Sequence, residues 1–481
     1  VGADVLPHYE AESYAVVEML DDGGHSDGEA DDGVYGAVIT PRANGSVVEF
    51  FVEAAGAGSL KRTWPAPSMV DGAAEQVTNV LYQVDSAFTG DHYWEPRSQP
   101  VYYIVMTEAE RGELEDIGDG GDPFFGEGAS DAQMNATFIS VDGADLEVRY
   151  RVGVRNRGNR TRVDPPNNYR INFVNDDPWK GVTALNINSK YPHLQLMGSA
   201  LFQMAGIPAP DAIAVQVRVN GDNLAAGDYS RTYGSYVALE VYDSDWAKRH
   251  FPEDDDGNAY RCTYAKPPGG GTTYADLYYK QDPGQMPEPA DYLENYPKRT
   301  NNAKYDYSDL FELIDTLNND EISDADFLSQ VGQVANLHMW MRYMAADALA
   351  GNREGGLYEG EGDDYAMYRG VEDPRFRLLP HDLDTLLGQG DHSYGPDWEI
   401  EGYSRVRGLR RLFDQDAIWM SYYGQYRELA ETLFRPEVFN PLVDQLLGDW
   451  VSQSEIEGSR GIKQFLADRL KSVLYGGYHT A

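Results

Sequence analysis

The chain has 481 residues, 42% of them apolar, which is enough to bury more than one hydrophobic core, so we expect more than one domain. Its 39 basic and 79 acidic residues give a net charge of −40, which disfavours binding to nucleic-acid backbones and to anionic membrane surfaces. No apolar run approaches the roughly 18 residues that span a bilayer, so no transmembrane segment is expected. Cys262 is the only cysteine, which excludes an intrachain disulfide framework.

The first predicted unit, residues 1–68, is an acidic, glycine-rich segment with strand-like runs. It starts at Val1 with no signal-peptide pattern, which we interpret as a processed or trimmed product. Carboxylates separated by glycine turns can wrap oxygen ligands around Ca²⁺, and a solvated acidic loop explains the same pattern equally well. The candidate calcium ligands are Asp22, Asp27 and Asp32. The predicted strands on either side are Tyr14–Leu20 and Ser46–Ala54.

A connector, residues 69–96, follows the rigid sequence Trp64-Pro-Ala-Pro and includes one predicted helix, Gly72–Tyr82. Residues 97–251 are rich in strand patterns, so we expect a β-rich domain there. Its predicted strands are a run that begins near Gln99, then Thr137–Val141, Leu146–Val154, a run from Tyr169, Ile213–Val219 and Tyr236–Val241. Its predicted helices are Glu108–Ile117, Ser189–Ala205 and Asp243–Phe251.

The second half of the chain is mainly helical in pattern. Residues 252–305, rich in Pro, Gly, Asp and Tyr, predict a long ordered insertion, and residues 306–481 predict a helical domain. Two short strand-like runs interrupt the helices and form a predicted hairpin. The predicted helices are Asp309–Leu317, Asp324–Leu349 and a helical region from Leu409 to Leu474, and the hairpin strands are Tyr365–Arg369 and Phe376–Leu379. The whole chain is therefore predicted to be α+β.

An aspartate pair, Asp382 and Asp384, follows the second hairpin strand directly. In an extended segment this spacing points both carboxylates to one side. Two such groups can chelate Mg²⁺ or Mn²⁺ together with nucleotide phosphates. A pair of aspartates that only caps a turn is the alternative interpretation.

Several motifs occur in a characteristic order. They are VRNRGNR, YRINF, the hairpin signals Asn220-Gly221 and Gly227-Asp228-Tyr229, YVALEVYDSDWAKRHF, GNAYR and PHDLDTLLG, the last being similar to W-D-L-D-x-x-x-G. Together they resemble the CotH kinase family, atypical extracellular protein kinases, over residues 97–450. The first unit, with DDG…DGVYGA before VEFFVEA and TWPAP, resembles a β-sandwich module of extracellular bacterial proteins. The resemblance implies a two-lobed, kinase-like fold preceded by a β-sandwich-like module, and the short or missing early strands leave a truncated module as one interpretation.

The resemblance also implies roles for individual residues. Glu240 and Tyr242 would lie at a hinge beside the adenine of ATP, and Arg157 or Arg170 would meet phosphate. A solvated strand-edge charge is the alternative for Arg157. The remaining implied roles are metal binding by Asp382, supported by Asp384, and catalysis by the loop residues Asn352, Glu354 and Asp364. ATP with Mg²⁺ or Mn²⁺ would be the phosphoryl donor, and a protein hydroxyl the acceptor.

Two departures from the family pattern leave two hypotheses open. Glu354 stands where the family has an aspartate, and Pro165-Pro166-Asn167-Asn168 stands where lysines are usual. A longer carboxylate misplaces a catalytic base, and arginine replaces a positioned lysine poorly. We therefore expect either a secreted or cell-surface protein kinase or a catalytically degenerate pseudokinase. The pseudokinase would be a structural or binding component of the cell surface or extracellular matrix, with protein partners.

Overall fold

The protein is described from a computed structural model. It describes residues 14–56, 58, 60–86, 99–117, 130–143, 145–158, 162, 165–227, 231–267, 270–391 and 395–475, with only the backbone at 473–475. Helices and strands are both abundant, so the α+β prediction is confirmed. The chain divides into two compact units. Unit 1 takes in the described part of Val1–Val163 with Ile171–Trp179 and Gln216–Leu224, and unit 2 takes in Asp164–Arg170, Lys180–Val215 and the described residues from Ala225 onward.

Unit 1 is built mainly from antiparallel strands. They are β1 (Val47–Phe50), β2 (Val52–Ala55), β3 (Lys61–Trp64), β4 (Ser68–Val70), β5 (Ala73–Glu75), β6 (Val80–Gln83), β7 (Val101–Val105), β8 (Met134–Asp142) and β9 (Asp145–Asn156), with helix α1 (Glu108–Asp116). Strand β1 pairs with β6, β2 with β3, β4 with β5, and β8 with both β7 and β9. Edge-to-face rings of Tyr102, Phe138 and Trp179 fill the core beneath the β7–β8 pair.

Two predictions for unit 1 are wrong. The segment Gly72–Tyr82 is not a helix, because Asp71 and Gly72 both have left-handed backbones (φ +50° and +84°) and form the tight turn between β4 and β5. Two successive left-handed residues are the signature of a hairpin turn, for which Asp-Gly is a preferred sequence. The segment Tyr14–Leu20 is not a strand, and only Leu20 makes an isolated bridge, to Gly36.

Unit 2 contains two groups of paired strands and most of the helices. Strands β10 (Tyr169–Asn172) and β12 (Ala212–Val219) run across the division between the units, and β11 (Ala184–Asn188), β13 (Tyr236–Glu240), β14 (Asn258–Cys262), β15 (Tyr365–Arg369) and β16 (Arg377–Pro380) lie within unit 2. The helices are α2 (Pro192–Met204), α3 (Ser244–His250), α4 (Pro289–Tyr292), α5 (Ser308–Asn318), α6 (Asp324–Val334), α7 (Leu337–Ala350), α8 (Gly356–Glu359), α9 (Arg410–Phe413), α10 (Asp416–Glu431), α11 (Pro436–Leu447), α12 (Gln453–Glu457) and α13 (Ile462–Tyr475).

The strands of unit 2 form two separate groups. Strand β13 pairs antiparallel with β11 and with the first half of β12. The second sheet has the order β14-β15-β16 and is antiparallel throughout. Its outer strand, β14, comes from the segment 252–305, so this part of the predicted insertion is built into the same sheet as the hairpin.

The single helix predicted over Asp324–Leu349 is interrupted. Ala335 is extended, and the Asn336 side chain caps α7 by accepting from the Met339 N–H (3.2 Å). The backbone groups at the interruption form hydrogen bonds with Phe376 instead of within a helix. The Asn336 N–H donates to the Phe376 carbonyl (3.0 Å), and the Phe376 N–H donates to the Val334 carbonyl (2.7 Å). The interruption therefore attaches the helices to the start of β16. Within the described residues no helix has the length and apolarity to cross a membrane.

Candidate functional site

The candidate site forms where the loop after α7 meets the segment after β16. Helix α7 ends at Gly351, whose left-handed backbone (φ +61°) turns the chain into the loop. The Arg353 N–H donates to the Thr385 carbonyl (2.9 Å), and the Leu387 N–H donates to the Ala350 carbonyl (2.7 Å). These two backbone bonds hold the loop against the segment that follows β16.

Helix α2 packs on the same segment. A Cβ atom built on Gly198 would lie 2.9 Å from the Leu383 Cβ and 2.9 Å from the Leu386 Cδ2, so only glycine permits this close approach. Leu383 is buried between Asp382 and Asp384 in sequence. The packing therefore anchors the aspartate pair on a rigid element.

Five carboxyl groups, which we call the carboxylate cluster, gather at this junction: Glu354, Asp363, Asp364, Asp382 and Asp384. Burial raises the pKa of Glu354, and the charges of Asp382 and Asp364 raise it further. Burial raises the pKa of Asp384 well above its usual range, with Asp382 and Glu354 adding to the effect. Burial also raises the pKa of Asp363 and that of Asp364, the latter opposed by Arg261. The cluster therefore concentrates negative charge where water stabilises it poorly, which favours a bound cation or protons.

Part of the cluster has the donor set and spacing of a divalent-cation site. Asp364, His381 and Asp382 each offer one ligand atom, and these atoms lie within 4.8 Å of one another. Asp364 and Asp382 both have left-handed backbones, with φ of +45° and +50°. Such conformations are uncommon outside glycine and often occur at functional sites. The oxygen-rich donor set suits Mg²⁺ or Mn²⁺. Asp384 is outside this group, and its carboxylate accepts from the Thr385 hydroxyl (3.3 Å).

The loop that carries Glu354 is held by a buried polar group, Asp347. Its carboxylate accepts from the Asn352 amide (2.8 Å) and from the Tyr403 hydroxyl (3.0 Å), and burial raises its pKa to about 7. A Cβ on Gly355 would lie 2.9 Å from this carboxylate and 3.0 Å from the Asn352 amide nitrogen, which explains the glycine. The Glu354 carboxylate lies 3.4 Å from the Thr385 hydroxyl. The Asn352 side chain therefore bonds to the buried group beneath the loop, and its catalytic role stays a prediction. Glu354 is the loop carboxylate that belongs to the cluster.

Four predicted site residues lie together in the structure: Glu354, Asp364, Asp382 and Asp384. Four further residues of the site were not predicted from the sequence: Asp347, His381, Arg261 and Thr385. The Arg261 guanidinium on β14 lies 3.6 Å from an Asp364 oxygen. Two of these residues belong to motifs already noted in the sequence: Arg261 is the last residue of GNAYR, and His381 is the second residue of PHDLDTLLG.

The family model described as CotH kinase protein matches residues 154–468. The chain belongs to the CotH kinase family. Inner spore coat protein H of Bacillus subtilis (strain 168) is 24% identical over 316 residues, which cover 62% of this chain and 75% of that protein. The family model for the second Ig-like domain of conditioned medium factor matches residues 8–58, in agreement with the predicted N-terminal module.

A solved structure also matches at low similarity. It is the complex of the toxin–antitoxin proteins HipA and HipB of Shewanella oneidensis MR-1 with their operator DNA. The match has 9% identity, covers 83% of this chain and 76% of the other, and has a TM-score of 0.30. That score is too low to establish a shared fold.

The two hinge residues expected in a CotH kinase have polar partners in unit 2. The Glu240 carboxylate accepts from the Asp211 N–H (2.7 Å) and lies 3.1 Å from Arg249 and 2.8 Å from the His250 ring. The Tyr242 hydroxyl donates to the Pro380 carbonyl. Both side chains are buried. The polar ends of both side chains thus have contacts within unit 2, and the hinge role stays a prediction.

The two arginines predicted to meet phosphate fall in different units. Arg157 follows β9 in unit 1, and Arg170 lies on β10 in the part that belongs to unit 2. Burial raises the pKa of Asp243, and the positive charge of Arg170 is one of the effects that oppose this rise. A phosphate role for either arginine in this CotH kinase family member stays a prediction.

The acidic loop of unit 1 uses its carboxylates internally. Asp27 accepts from the N–H groups of Asp22, Gly23 and His25, and Asp22 accepts from the Gly24 N–H and the His25 ring. Asp32 accepts from two further backbone N–H groups of the loop, those of Glu29 and Val34. None of these aspartates belongs to a group of potential metal ligands found among the described residues, so calcium at this loop stays a prediction.

Proposed function

We propose that this protein is a two-lobed, kinase-like phosphotransferase that moves the γ-phosphoryl group of ATP to a hydroxyl group of a protein. The observation that carries the proposal is the carboxylate cluster, in which Asp364 and Asp382 lie near Glu354 and share a potential cation site with His381. A buried group of carboxylates with raised pKa values is typical of a catalytic site. Membership of the CotH kinase family supports phosphoryl transfer as the reaction.

The roles follow from the contacts of each residue. Glu354 takes the proton of the acceptor hydroxyl while the oxygen of that hydroxyl forms a bond to the γ-phosphorus of ATP. The bond between the γ-phosphorus and the oxygen that bridges to the β-phosphate breaks, and ADP leaves. The raised pKa of Glu354 suits a base that works near neutral pH. Asp364 and Asp382 would hold Mg²⁺ or Mn²⁺, and Asp384 would support the metal-binding aspartates. The bound cation supplies charge neutralisation at the phosphates. Arg261, 3.6 Å from Asp364, orients that carboxylate.

A specific observation favours a second candidate, a pseudokinase that serves as a structural or binding protein. Glu354 is one methylene longer than the aspartate usual in the family, and its carboxylate lies 3.4 Å from the Thr385 hydroxyl. A base displaced by about 1 Å can lose about 100-fold in rate. In this candidate the site binds nucleotide or cation, and the protein acts through its surface.

The relative named inner spore coat protein H supports a coat or surface location. We propose that this protein acts outside the cell or at its surface, on protein partners found there. The net charge of −40 favours basic rather than acidic partners. Calcium bound by the acidic loop would fit such a location.

The full chain should bind ATP in the presence of Mn²⁺ and transfer label from γ-labelled ATP to itself or to added surface proteins. Calorimetry measures the binding, and incorporation of label measures the transfer. Binding with transfer supports the kinase, and binding without transfer supports the pseudokinase. Absence of nucleotide binding with both Mn²⁺ and Mg²⁺ would overturn the phosphotransferase proposal.

The length of the loop carboxylate gives a sharper test of catalysis. Glu354→Gln removes the base and should lower the rate of label transfer by about 100-fold, within the usual range for general-base catalysis. Glu354→Asp restores the shorter side chain of the family and should keep transfer within about tenfold of wild type or raise it. Glu321→Gln makes the same chemical change at an exposed position and should have no effect. Equal rates in wild type and Glu354→Gln would exclude Glu354 as the base.

A further inference from the structure

His381 lies among the carboxylates of the candidate cation site. Its Nδ1 is 3.7 Å from an Asp364 oxygen, and a ring nitrogen is within 4.8 Å of the ligand atoms of both Asp364 and Asp382. A separation of 3.7 Å is too long for a hydrogen bond. Two ligands on one ion, each at about 2.1 Å from it, are separated by about 3–4 Å. The spacing therefore fits two ligands of one ion better than it fits a direct bond between the two side chains.

The imidazole is held in place by its surroundings. The His381 ring lies against the Tyr242 ring, with centroids 6.4 Å apart and planes at 29°. The Tyr242 hydroxyl donates to the carbonyl of Pro380, the residue before His381. The ring and the backbone next to it are thus fixed by the same tyrosine, as the supporting groups of metal ligands commonly are.

The chemistry of the three donors decides which cation they prefer. Mg²⁺ binds oxygen ligands almost exclusively in proteins, whereas imidazole is a good ligand for divalent transition metals. Two carboxylates and one imidazole, with other positions open, therefore suit a divalent transition metal better than Mg²⁺, and Mn²⁺ is the transition metal that shares the preference of Mg²⁺ for carboxylate ligands. The family signature W-D-L-D has tryptophan where this chain has His381, so the nitrogen donor is a feature of this chain.

We propose that His381 is a direct ligand of the divalent cation, so that Asp364, His381 and Asp382 form a site that binds Mn²⁺ in preference to Mg²⁺. This inference rests on the proposed function, since it concerns the cation of the same site. His381 is then the residue that sets the metal preference, and Tyr242 positions its imidazole.

The nitrogen ligand can be observed directly. The full chain is loaded with Mn²⁺ and measured by electron spin echo envelope modulation, which detects a ¹⁴N nucleus bonded to Mn²⁺. We expect nitrogen modulation in wild type, a change in its frequencies when histidine is labelled with ¹⁵N, and its loss in His381→Gln. His338→Gln, at an exposed position on α7, is the matched control and should retain the signal.

Affinity measurements by calorimetry accompany the spectra. Wild type should bind Mn²⁺ at least about tenfold more tightly than Mg²⁺, and His381→Gln should remove most of that difference by weakening Mn²⁺ alone. Mn²⁺ bound without nitrogen modulation, or modulation that persists in His381→Gln, would overturn the inference and leave a cation site made of carboxylates. Failure of wild type to bind either cation would overturn both this inference and the metal-dependent reaction.

Discussion

Asp382→Asn is expected to stop phosphoryl transfer and, at the same time, to stabilise the protein in the absence of metal. The Asp382 charge raises the pKa of both Glu354 and Asp384, so the three carboxyl groups repel one another. Neutralising one of them weakens that repulsion, by an amount on the order of 1 kcal/mol or more for partly buried charges several ångströms apart. Asparagine tolerates the left-handed backbone of Asp382 as well as aspartate does, so the substitution introduces no strain.

The loss of transfer follows from the loss of a charged cation ligand. Charge neutralisation by a bound cation contributes several kcal/mol to phosphoryl transfer, so we expect a fall of about 1000-fold or more in rate. Thermal melting in chelator should show an increase of a few degrees for the variant. Melting with added Mn²⁺ should show a smaller increase in the variant than in wild type, because binding to the native state is weakened.

Asp31→Asn is the matched control for this experiment. Asp31 is exposed and has a similar left-handed backbone (φ +64°), but it belongs to the acidic loop and not to the carboxylate cluster. It should change neither the rate of transfer nor the response to Mn²⁺. If Asp382 had only the structural role of capping a turn, Asp382→Asn would lower the melting temperature in chelator and leave the Mn²⁺ response unchanged.

The parts of the fold that could be predicted are those with a local signal. The hairpin strand Tyr365–Arg369 has the predicted bounds, because a turn rich in Gly, Asp and Pro separates two short apolar runs. The break between α6 and α7 could not be predicted in the same way. Its backbone bonds go to Phe376, some 40 residues away in sequence, so the helical pattern continued across a point that tertiary pairing interrupts.

The same distinction applies to the candidate site. Asp382 and Asp384 were predicted because their motif follows a strand directly, and Glu354 because the resemblance to the CotH kinase family places it in the catalytic loop. Asp347 lies in the middle of the apolar face of α7, where a sequence pattern gives no reason to expect a carboxylate with two buried partners. Arg261 and His381 meet Asp364 only through the pairing of β14, β15 and β16. Their role is a property of the sheet rather than of any one segment.

Asp347, which lies outside the carboxylate cluster, is expected to make the stability of the protein depend on pH. Its carboxyl is fully buried, and its pKa is about 7 in the native state against about 3.9 in an unfolded chain. The native protein therefore keeps a proton that the unfolded chain loses. The stabilisation from this group is complete below pH ~4 and falls as pH rises toward the native pKa. At about 1.4 kcal/mol per pKa unit, the full effect reaches up to about 4 kcal/mol.

Asp347→Asn should remove this dependence without breaking the group of hydrogen bonds. The oxygen of the new asparagine can still accept from the Tyr403 hydroxyl. Its NH₂ group can donate to the Asn352 Oδ1 once the Asn352 amide rotates by 180°. That oxygen is buried and has no hydrogen-bond partner among the described residues. Urea unfolding in chelator at pH 5 and pH 8 measures the difference. Wild type should lose about 2–3 kcal/mol more than the variant between these two pH values. Equal losses in the two proteins would mean that Asp347 ionises as readily in the native protein as in the unfolded chain, so that the loop beneath Glu354 rests on an ordinary carboxylate.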